Sequence, residues 1–210
     1  MPGLFITFEG GEGAGKTTQI RLLKEALEKG GKSVLMTREP GGSEGAETIR
    51  PLLVAGHAKW DALTEVLLFS AARRDHLIQQ IWPALKEDKI VLCDRFSDST
   101  MAYQGYGRGD DKDLQKKLST LYQMIAGDFE PDLTFILDID PKIGLKRSCD
   151  RLGNTEHRFE DMDITFHQNL RRAFLKIAQQ NPNRYHVISA EKSIEKIHQE
   201  IMKVINQYVR

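Results

Sequence analysis

Residues 10–17 of the chain read Gly10-Gly11-Glu12-Gly13-Ala14-Gly15-Lys16-Thr17 and fit the pattern G-x-x-x-x-G-K-[ST]. An apolar run at residues 4–8 precedes this stretch, which predicts a phosphate-binding loop between a strand and a helix. The glycines let backbone N–H groups converge on phosphate oxygens, and the helix start adds its positive end. A glycine-rich turn that binds nothing is the alternative, and the flanking strand and helix argue against it.

Two side chains of this stretch are candidates for contact with a nucleoside triphosphate. Lys16 is expected to neutralise the β- and γ-phosphates, and the Thr17 hydroxyl is expected to ligate the Mg²⁺ that bridges them. Thr18 completes the candidate nucleotide-binding segment. A second magnesium ligand is expected after a neighbouring strand, and Asp94 follows the apolar run at residues 90–93.

Charge and composition exclude several classes of function. Lysine plus arginine and aspartate plus glutamate each total 30, so no overall basic field indicates a nucleic acid or an anionic membrane as partner. No apolar stretch approaches membrane-spanning length, and no signal peptide is apparent. Two cysteines, Cys93 and Cys149, are too few for a disulfide framework. We therefore expect a cytoplasmic protein without a nucleic-acid or membrane partner.

The hydrophobic patterns predict a single α/β domain over residues 1–210. Strands are expected at residues 4–9, 33–37, 90–93, 133–138 and 185–189, with helical patterns between them, which indicates a five-stranded, mostly parallel sheet covered on both faces. A helix is expected to begin at residue 61, and Pro83 is expected to kink or shorten it near its end. Residues 105–109 are glycine-rich and predict a flexible loop, and the charged segment at about residues 147–163 predicts a mobile lid.

Three segments converge on the carboxyl edge of this sheet: the phosphate loop, residues 38–42 (Arg-Glu-Pro-Gly-Gly) and Asp94-Arg95. Together with residues 68–73 (Leu-Phe-Ser-Ala-Ala-Arg) and 94–104 (Asp-Arg-Phe-Ser-Asp-Ser-Thr-Met-Ala-Tyr-Gln), they make the chain closely resemble thymidylate kinases over essentially its whole length. The resemblance implies a P-loop nucleoside monophosphate kinase fold, ATP and dTMP as substrates, Mg²⁺ as cofactor and a homodimer.

Arginines suit the proposed chemistry because phosphoryl transfer spreads the charge of the moving group over cations. The resemblance implies that Arg95 grips the 5′-phosphate of dTMP, with Arg38 and Arg50 nearby. A guanidinium group donates two parallel hydrogen bonds to phosphate oxygens. The alternative for Arg38 and Arg50 is a solvated surface arginine or a salt bridge.

The base-recognition candidates lie on two helical segments. Phe69 and Arg73 are four residues apart and share one helix face, and the resemblance gives Phe69 a stacking role on thymine and Arg73 a hydrogen bond to a thymine carbonyl. Ordinary core packing is the alternative for Phe69. The second segment provides further candidates that contact the ring edge or the sugar, with a purely structural helix face as the alternative for the first of them: Ser99, Thr100, Tyr103 and Gln104.

The lid is expected to supply the catalytic cation. Some thymidylate kinases carry a basic residue inside the phosphate loop, whereas this loop has the acidic Glu12, so an arginine from the lid is implied. Arg147, Arg151 and Arg158 are candidates, and Arg151 is preferred as the catalytic residue. Glu12 is then expected to contact the sugar 3′-hydroxyl or a lid arginine.

Other functions stay open at this point. Another nucleoside monophosphate or deoxynucleoside kinase shares the loop and the lid but not the base-recognition set. A GTPase-type switch is disfavoured because the chain has no Asn-Lys-x-Asp segment. A nucleotide-binding protein without catalysis is disfavoured by the presence of Lys16, Thr17 and Asp94.

Overall fold

The computed structural model describes residues 3–55, 59–107, 109–149 and 158–209. Its strands are β1 (Leu4–Glu9), β2 (Val34–Arg38), β3 (Ile90–Asp94), β4 (Leu133–Asp138) and β5 (Tyr185–Ser189). Its α-helices are α1 (Lys16–Lys29), α2 (Glu44–Val54), α3 (Ala62–His76), α4 (Trp82–Lys86), α5 (Ser97–Thr100), α6 (Lys112–Ala126), α7 (Pro141–Cys149), α8 (Ile164–Ala178) and α9 (Ile194–Tyr208). Two π-helical segments are π1 (Leu77–Ile81) and π2 (Met101–Gly107).

The sheet has the order β2-β3-β1-β4-β5, and every neighbouring pair is parallel. This confirms the predicted five-stranded α/β architecture. After β1 the chain builds one side of the sheet with β2 and β3, and it then crosses to the other side with β4 and β5. In open α/β sheets ligands bind where the strand order reverses, outside the carboxyl ends of the strands. The end of β1 is that position here.

The central strand packs against helices on both faces. Ile6 and Phe8 contribute to a cluster with residues of α1 and α9, whereas Phe5 packs on the other face with residues of π1 and α4. A strand that is apolar on both faces is typical of a parallel sheet covered by helices. Within the described ranges, no helix has the length and apolarity needed to cross a membrane.

Side-chain caps explain where several helices begin. The side chains of Asp61, Asp111, Asp163 and Ser193 each accept a hydrogen bond from a backbone N–H in the first turn of α3, α6, α8 or α9. Such caps satisfy donors that a helix start leaves without an intrahelical partner. The helices therefore start one residue after their capping residue.

Neither of the two π-helical segments was predicted from the sequence. The helix that Pro83 was predicted to kink or shorten continues to Lys86, and π1 comes just before this proline. Proline has no N–H to donate to the preceding turn, and the wider π turn accommodates that missing hydrogen bond. The predicted loop at residues 105–109 was wrong for Gly105–Gly107, which complete π2. Gln115 stabilises that extension, since its side-chain amide donates to Gly105 O at 2.9 Å.

Candidate active site

The phosphate loop connects β1 to α1 and depends on its glycines. Gly10, Gly13 and Gly15 have φ angles of 131°, 66° and 87°, a region that side chains with a Cβ rarely adopt. A Cβ at Gly10 would also meet the carbonyl of Leu137, and one at Gly13 would meet the carbonyl of Gly144. The glycines therefore permit both the turn and its close packing against β4 and α7.

Lys16 opens α1 and lies under the loop. Its ammonium group donates to Gly10 O at 3.2 Å and to Gly11 O at 3.0 Å. Burial, together with the nearby charge of Arg95, lowers the pKa of Lys16. The side chain is thus held in place by backbone carbonyls, within reach of any anion bound in the loop.

The residues at the start of α1 and the end of β3 fit a magnesium ion. The Thr17 hydroxyl donates to Asp94 Oδ2 at 2.8 Å, so the two predicted ligands lie together. Mg²⁺ prefers oxygen ligands and commonly uses one or two carboxylates together with substrate phosphates. Among the described residues there is no cluster of three or more His, Cys, Asp or Glu side chains that is placed to hold a metal. An ion at Thr17 and Asp94 therefore has to take its remaining ligands from phosphates and water.

Arg95 directly follows β3 and has a positive φ of 67°. Its guanidinium group donates to Gly10 O at 3.0 Å, to Ser99 Oγ at 3.2 Å and to Glu12 Oε1 at 2.9 Å. Burial opposes ionisation of Glu12, but the charges of Arg95 and Lys16 hold its pKa at about 2. The predicted phosphate-binding arginine is therefore tied to the phosphate loop by an ion pair.

A buried carboxyl group fixes the turn that carries Arg95. Glu9 Oε1 accepts hydrogen bonds from the backbone N–H groups of Phe96 at 2.8 Å and Ser99 at 3.2 Å, and Glu9 Oε2 accepts from the Ser99 hydroxyl at 2.5 Å. Burial and the nearby charge of Asp98 raise the pKa of Glu9 to about 8. These bonds orient the start of α5, and with it the side chains of the signature segment.

The end of the cleft that is predicted to bind the base holds a buried network around Arg73. The Arg73 guanidinium donates to Glu39 Oε2 at 2.8 Å and to Thr100 Oγ1 at 2.8 Å. Glu39 Oε1 lies 3.1 Å from His76 Nδ1, whose other ring nitrogen is 2.7 Å from Thr37 Oγ1. Because Glu39 follows β2 and Thr100 lies in α5, two separate segments fix the orientation of the Arg73 guanidinium group.

Phe69, Tyr103 and Gln104 complete this end. Phe69 is half-buried and lines the cleft, and it belongs to none of the apolar clusters among the described residues. The Tyr103 hydroxyl donates to Glu12 Oε1 at 2.6 Å, which links this end to the phosphate loop. The Gln104 side-chain amide donates to Glu65 Oε1 at 2.7 Å.

Arg38 and Arg50 lie on the wall formed by the β2–α2 connection. Arg38 donates to Glu47 Oε2 at 3.2 Å, and Arg50 donates to the carbonyl of Pro40. Both side chains line the same cleft as Arg95. The salt bridge considered for Arg38 is present, although it is exposed.

The predicted lid lies partly outside the described residues. Arg147 belongs to α7 and donates to Ala190 O at 2.8 Å. Arg158 donates to Leu53 O at 2.6 Å and forms an ion pair with Glu65 at 2.5 Å. Arg151, the preferred catalytic arginine, is outside the described residues.

One cleft of about 860 Å³ brings these groups together at the carboxyl edge of the sheet. All ten predicted substrate-binding residues line it, as do Asp94 and residues 13–17 of the phosphate loop. Gly10, Gly11 and Thr18 do not line it. The carbonyl oxygens of Gly10 and Gly11 instead accept hydrogen bonds from the Lys16 ammonium group.

Sequence reasoning missed the buried acids that support the site, namely Glu9, Glu39 and Glu65. Glu39 lies in the segment at residues 38–42 that carries part of the family resemblance, but no function was predicted for it. Glu65 lies four residues before Phe69 and eight before Arg73, so the helical spacing places it on the same face. An acidic residue on that face was the available signal.

A phosphate loop at the switch point, a carboxylate at the end of the adjacent strand and arginines on the facing wall define a P-loop nucleotide phosphotransferase. The thymidylate kinase family profile matches residues 8–201. The chain belongs to the thymidylate kinase family.

Individual relatives agree with this assignment over nearly the full length. A thymidylate kinase of Magnetococcus marinus is 51% identical over 94% of this chain and 92% of its own length. A thymidylate kinase of Ruegeria pomeroyi is 46% identical over 97% of this chain and 94% of its own length. The crystal structure of thymidylate kinase from Ehrlichia chaffeensis superimposes with a TM-score of 0.77 at 41% identity, and covers 98% of this chain and 99% of that one.

Proposed function

We propose that the chain, acting as a single kinase domain, transfers the γ-phosphoryl group of ATP to dTMP and releases dTDP and ADP. An oxygen of the dTMP 5′-phosphate forms the new P–O bond while the bond between the γ-phosphorus and the bridging oxygen breaks. The observation that carries the proposal is one cleft that is lined both by the phosphate loop and by the Arg73 network. No general base is needed because the acceptor oxygen is already anionic.

Positively charged side chains are proposed to hold the phosphates of ATP and the 5′-phosphate of dTMP. Lys16 reaches the β- and γ-phosphates, and Arg95 holds the acceptor phosphate with help from Arg38 and Arg50. These roles are supported by the position of all four cations along one cleft. When bound by Thr17 and Asp94, Mg²⁺ neutralises charge that develops on the phosphate oxygens.

The other end of the cleft is proposed to read the base and the sugar. Phe69 stacks on thymine, and Arg73 donates to a ring carbonyl from the orientation that Glu39 and Thr100 impose. Tyr103 crowds a ribose 2′-hydroxyl and so favours the deoxy sugar. These assignments are supported by the half-burial of Phe69 in the cleft.

Arg151 is proposed as the lid residue that contacts the transferring phosphoryl group. Of the other candidates, Arg147 contacts the loop after β5, and Arg158 contacts α2 and α3. Their engagement away from the phosphate loop supports Arg151. An arginine finger contributes on the order of 10³–10⁵-fold in rate, so Arg151→Ala is expected to lose most of the turnover.

A homodimer is proposed to form through α3. Leu63 and Leu67 lie one turn apart on this helix and are exposed, as is Ile78 in the adjoining π1. An exposed apolar stripe of this kind is typical of a protein–protein contact. Sedimentation at micromolar concentration is expected to show a dimer, which Leu67→Glu converts to a monomer.

A cytoplasmic location is also proposed, supported by two free cysteines.

The proposed activity is tested by an ADP-release assay with ATP and magnesium against dTMP, dUMP, dCMP, UMP and AMP. We expect a strong preference for dTMP in the wild-type chain and a large loss of turnover in Arg151→Ala. Faster turnover of dCMP or UMP would support kinase activity but contradict the proposed specificity for dTMP. An absence of turnover with all five acceptors would instead favour a nucleotide-binding protein.

A further inference from the structure

Glu65 is a fully buried acid that two separate segments share. It lies in the first turn of α3. Its Oε1 accepts from the Gln104 side-chain amide at 2.7 Å, and its Oε2 accepts from Arg158 at 2.5 Å. Gln104 belongs to π2, and Arg158 follows the part of the lid outside the described residues. A single carboxylate therefore connects base recognition with the lid.

The chemistry of this contact fixes the orientation of the Gln104 amide. A carboxylate paired with arginine only accepts hydrogen bonds, so the NH₂ group of Gln104 has to face Glu65. The carbonyl oxygen, Gln104 Oε1, is then directed away from Glu65. It is buried, and it has no hydrogen-bond partner within the described part of the chain.

This oxygen is available to accept a hydrogen bond from a bound ligand. Gln104 lines the cleft together with Phe69 and Arg73, and its side chain is buried. Leaving a buried acceptor without a partner is unfavourable, because no hydrogen bond replaces the ones that it would make to water. Neutral thymine presents an N–H donor at N3, whereas cytosine presents an acceptor at the same position.

We propose that Glu65 is a specificity-determining positioning residue: it holds the carbonyl oxygen of Gln104 toward the acceptor base and thereby selects a pyrimidine with N3–H over cytosine. The inference rests on the proposed function. Arg158 contributes by holding the second oxygen of Glu65 and balancing its charge in a buried site. Glu65 itself does not line the cleft, so it acts through Gln104.

The test compares Glu65→Gln with the wild-type chain by measuring kcat/KM for dTMP and for dCMP with ATP and magnesium. A glutamine at residue 65 presents either an oxygen or an NH₂ group, so it no longer dictates the orientation of the Gln104 amide. We expect the dTMP to dCMP ratio of kcat/KM to fall by about 10- to 100-fold, because the acceptor orientation is no longer enforced. A loss of activity that is equal for both nucleotides would overturn the proposal, since a merely structural role lowers both alike.

Two further variants secure the interpretation. In Glu65→Asp the shorter side chain withdraws from Gln104 but keeps its charge, so the ratio is expected to fall here as well, even if Glu65→Gln does not fold. Adding Glu65→Gln to Gln104→Ala is expected to leave the ratio of the single Gln104 variant unchanged, and a further fall would contradict action through Gln104. The matched control is Glu28→Gln, which alters an exposed pair on α1 and is expected to change neither rate nor ratio.

The same assay separates the two proposals. Wild-type preference for dTMP with an unchanged ratio in both Glu65 variants would overturn only the role of Glu65. A wild-type chain that does not phosphorylate dTMP would overturn the proposed function and this inference together.

Discussion

The two ends of the cleft hold their charged groups in different ways. At the base end, Arg73 and Glu39 are 4% and 3% exposed, and their partner His76 is held in turn by Thr37. At the phosphate end, Arg38 and Glu47 are 54% and 43% exposed, and Arg95 and Glu12 are intermediate. Buried pairs are costly to break, whereas exposed pairs exchange partners cheaply. The base end is thus built for fixed geometry, whereas the exposed Arg38–Glu47 pair at the phosphate end can exchange charged partners.

The strongest test of this difference is Glu39→Ala. The variant leaves the buried guanidinium group of Arg73 without its carboxylate, so the free energy of unfolding is expected to fall by about 3–5 kcal/mol. Urea denaturation measures the change. The surface variant Glu28→Ala, in an exposed pair of α1, serves as control and is expected to change stability by less than about 1 kcal/mol. A loss below that level in Glu39→Ala would show that the base end is not held by this pair.

Lys16→Met tests the phosphate end through the reaction instead of through folding. Loss of one preorganised cation from the transition state is expected to reduce kcat by about 10²–10³-fold, which corresponds to roughly 3–4 kcal/mol. Steady-state kinetics with saturating ATP and dTMP measures this loss. Full turnover in the variant would show that Lys16 does not act on the transferred group.

Glu12 gives the phosphate end a dependence on pH. Its pKa is lowered from 4.5 to about 2 in the folded state, so its contribution to stability is present above pH 4.5 and is lost as the pH falls toward 2. The shift corresponds to roughly 3 kcal/mol over that window. Chemical denaturation across this pH range is expected to show a shallower acid loss for Glu12→Gln than for the wild type. Parallel curves would contradict the ion pair with Arg95.

The smallest effect is expected for the stability of Arg38→Ala. The exposed pair with Glu47 contributes about 0–1 kcal/mol, so the unfolding midpoint should barely move. The KM for dTMP is nevertheless expected to rise, since the side chain faces the cleft. A destabilisation as large as that of Glu39→Ala would remove the distinction between the two ends.

The sheet and the phosphate loop were predictable because short-range patterns encode them. The strand at residues 133–138 and the helix at residues 44–54 were predicted with the bounds that the structure shows. The π-helical segments were not predictable from the same patterns. Their wider turn depends on tertiary contacts, such as the bond from Gln115 to Gly105, and not on local propensity.

The residues of the candidate site also differ in how far the sequence predicts them. Lys16, Thr17 and Asp94 follow from motif spacing and from their place at strand ends. Glu39 and Glu65 were missed as contributors because their burial depends on partners that lie 34 or more residues away in sequence. Helical spacing identified the face but did not identify the residues packed against it.

The π-helical segment at residues 101–107 also limits how the chain can diverge. One residue fewer in this segment would restore α-helical spacing and turn the following side chains by about 100°. Tyr103 and Gln104 would then no longer face Glu12 and Glu65 together. In descent from a common ancestor, this segment is therefore expected to change by substitution while insertions and deletions are eliminated.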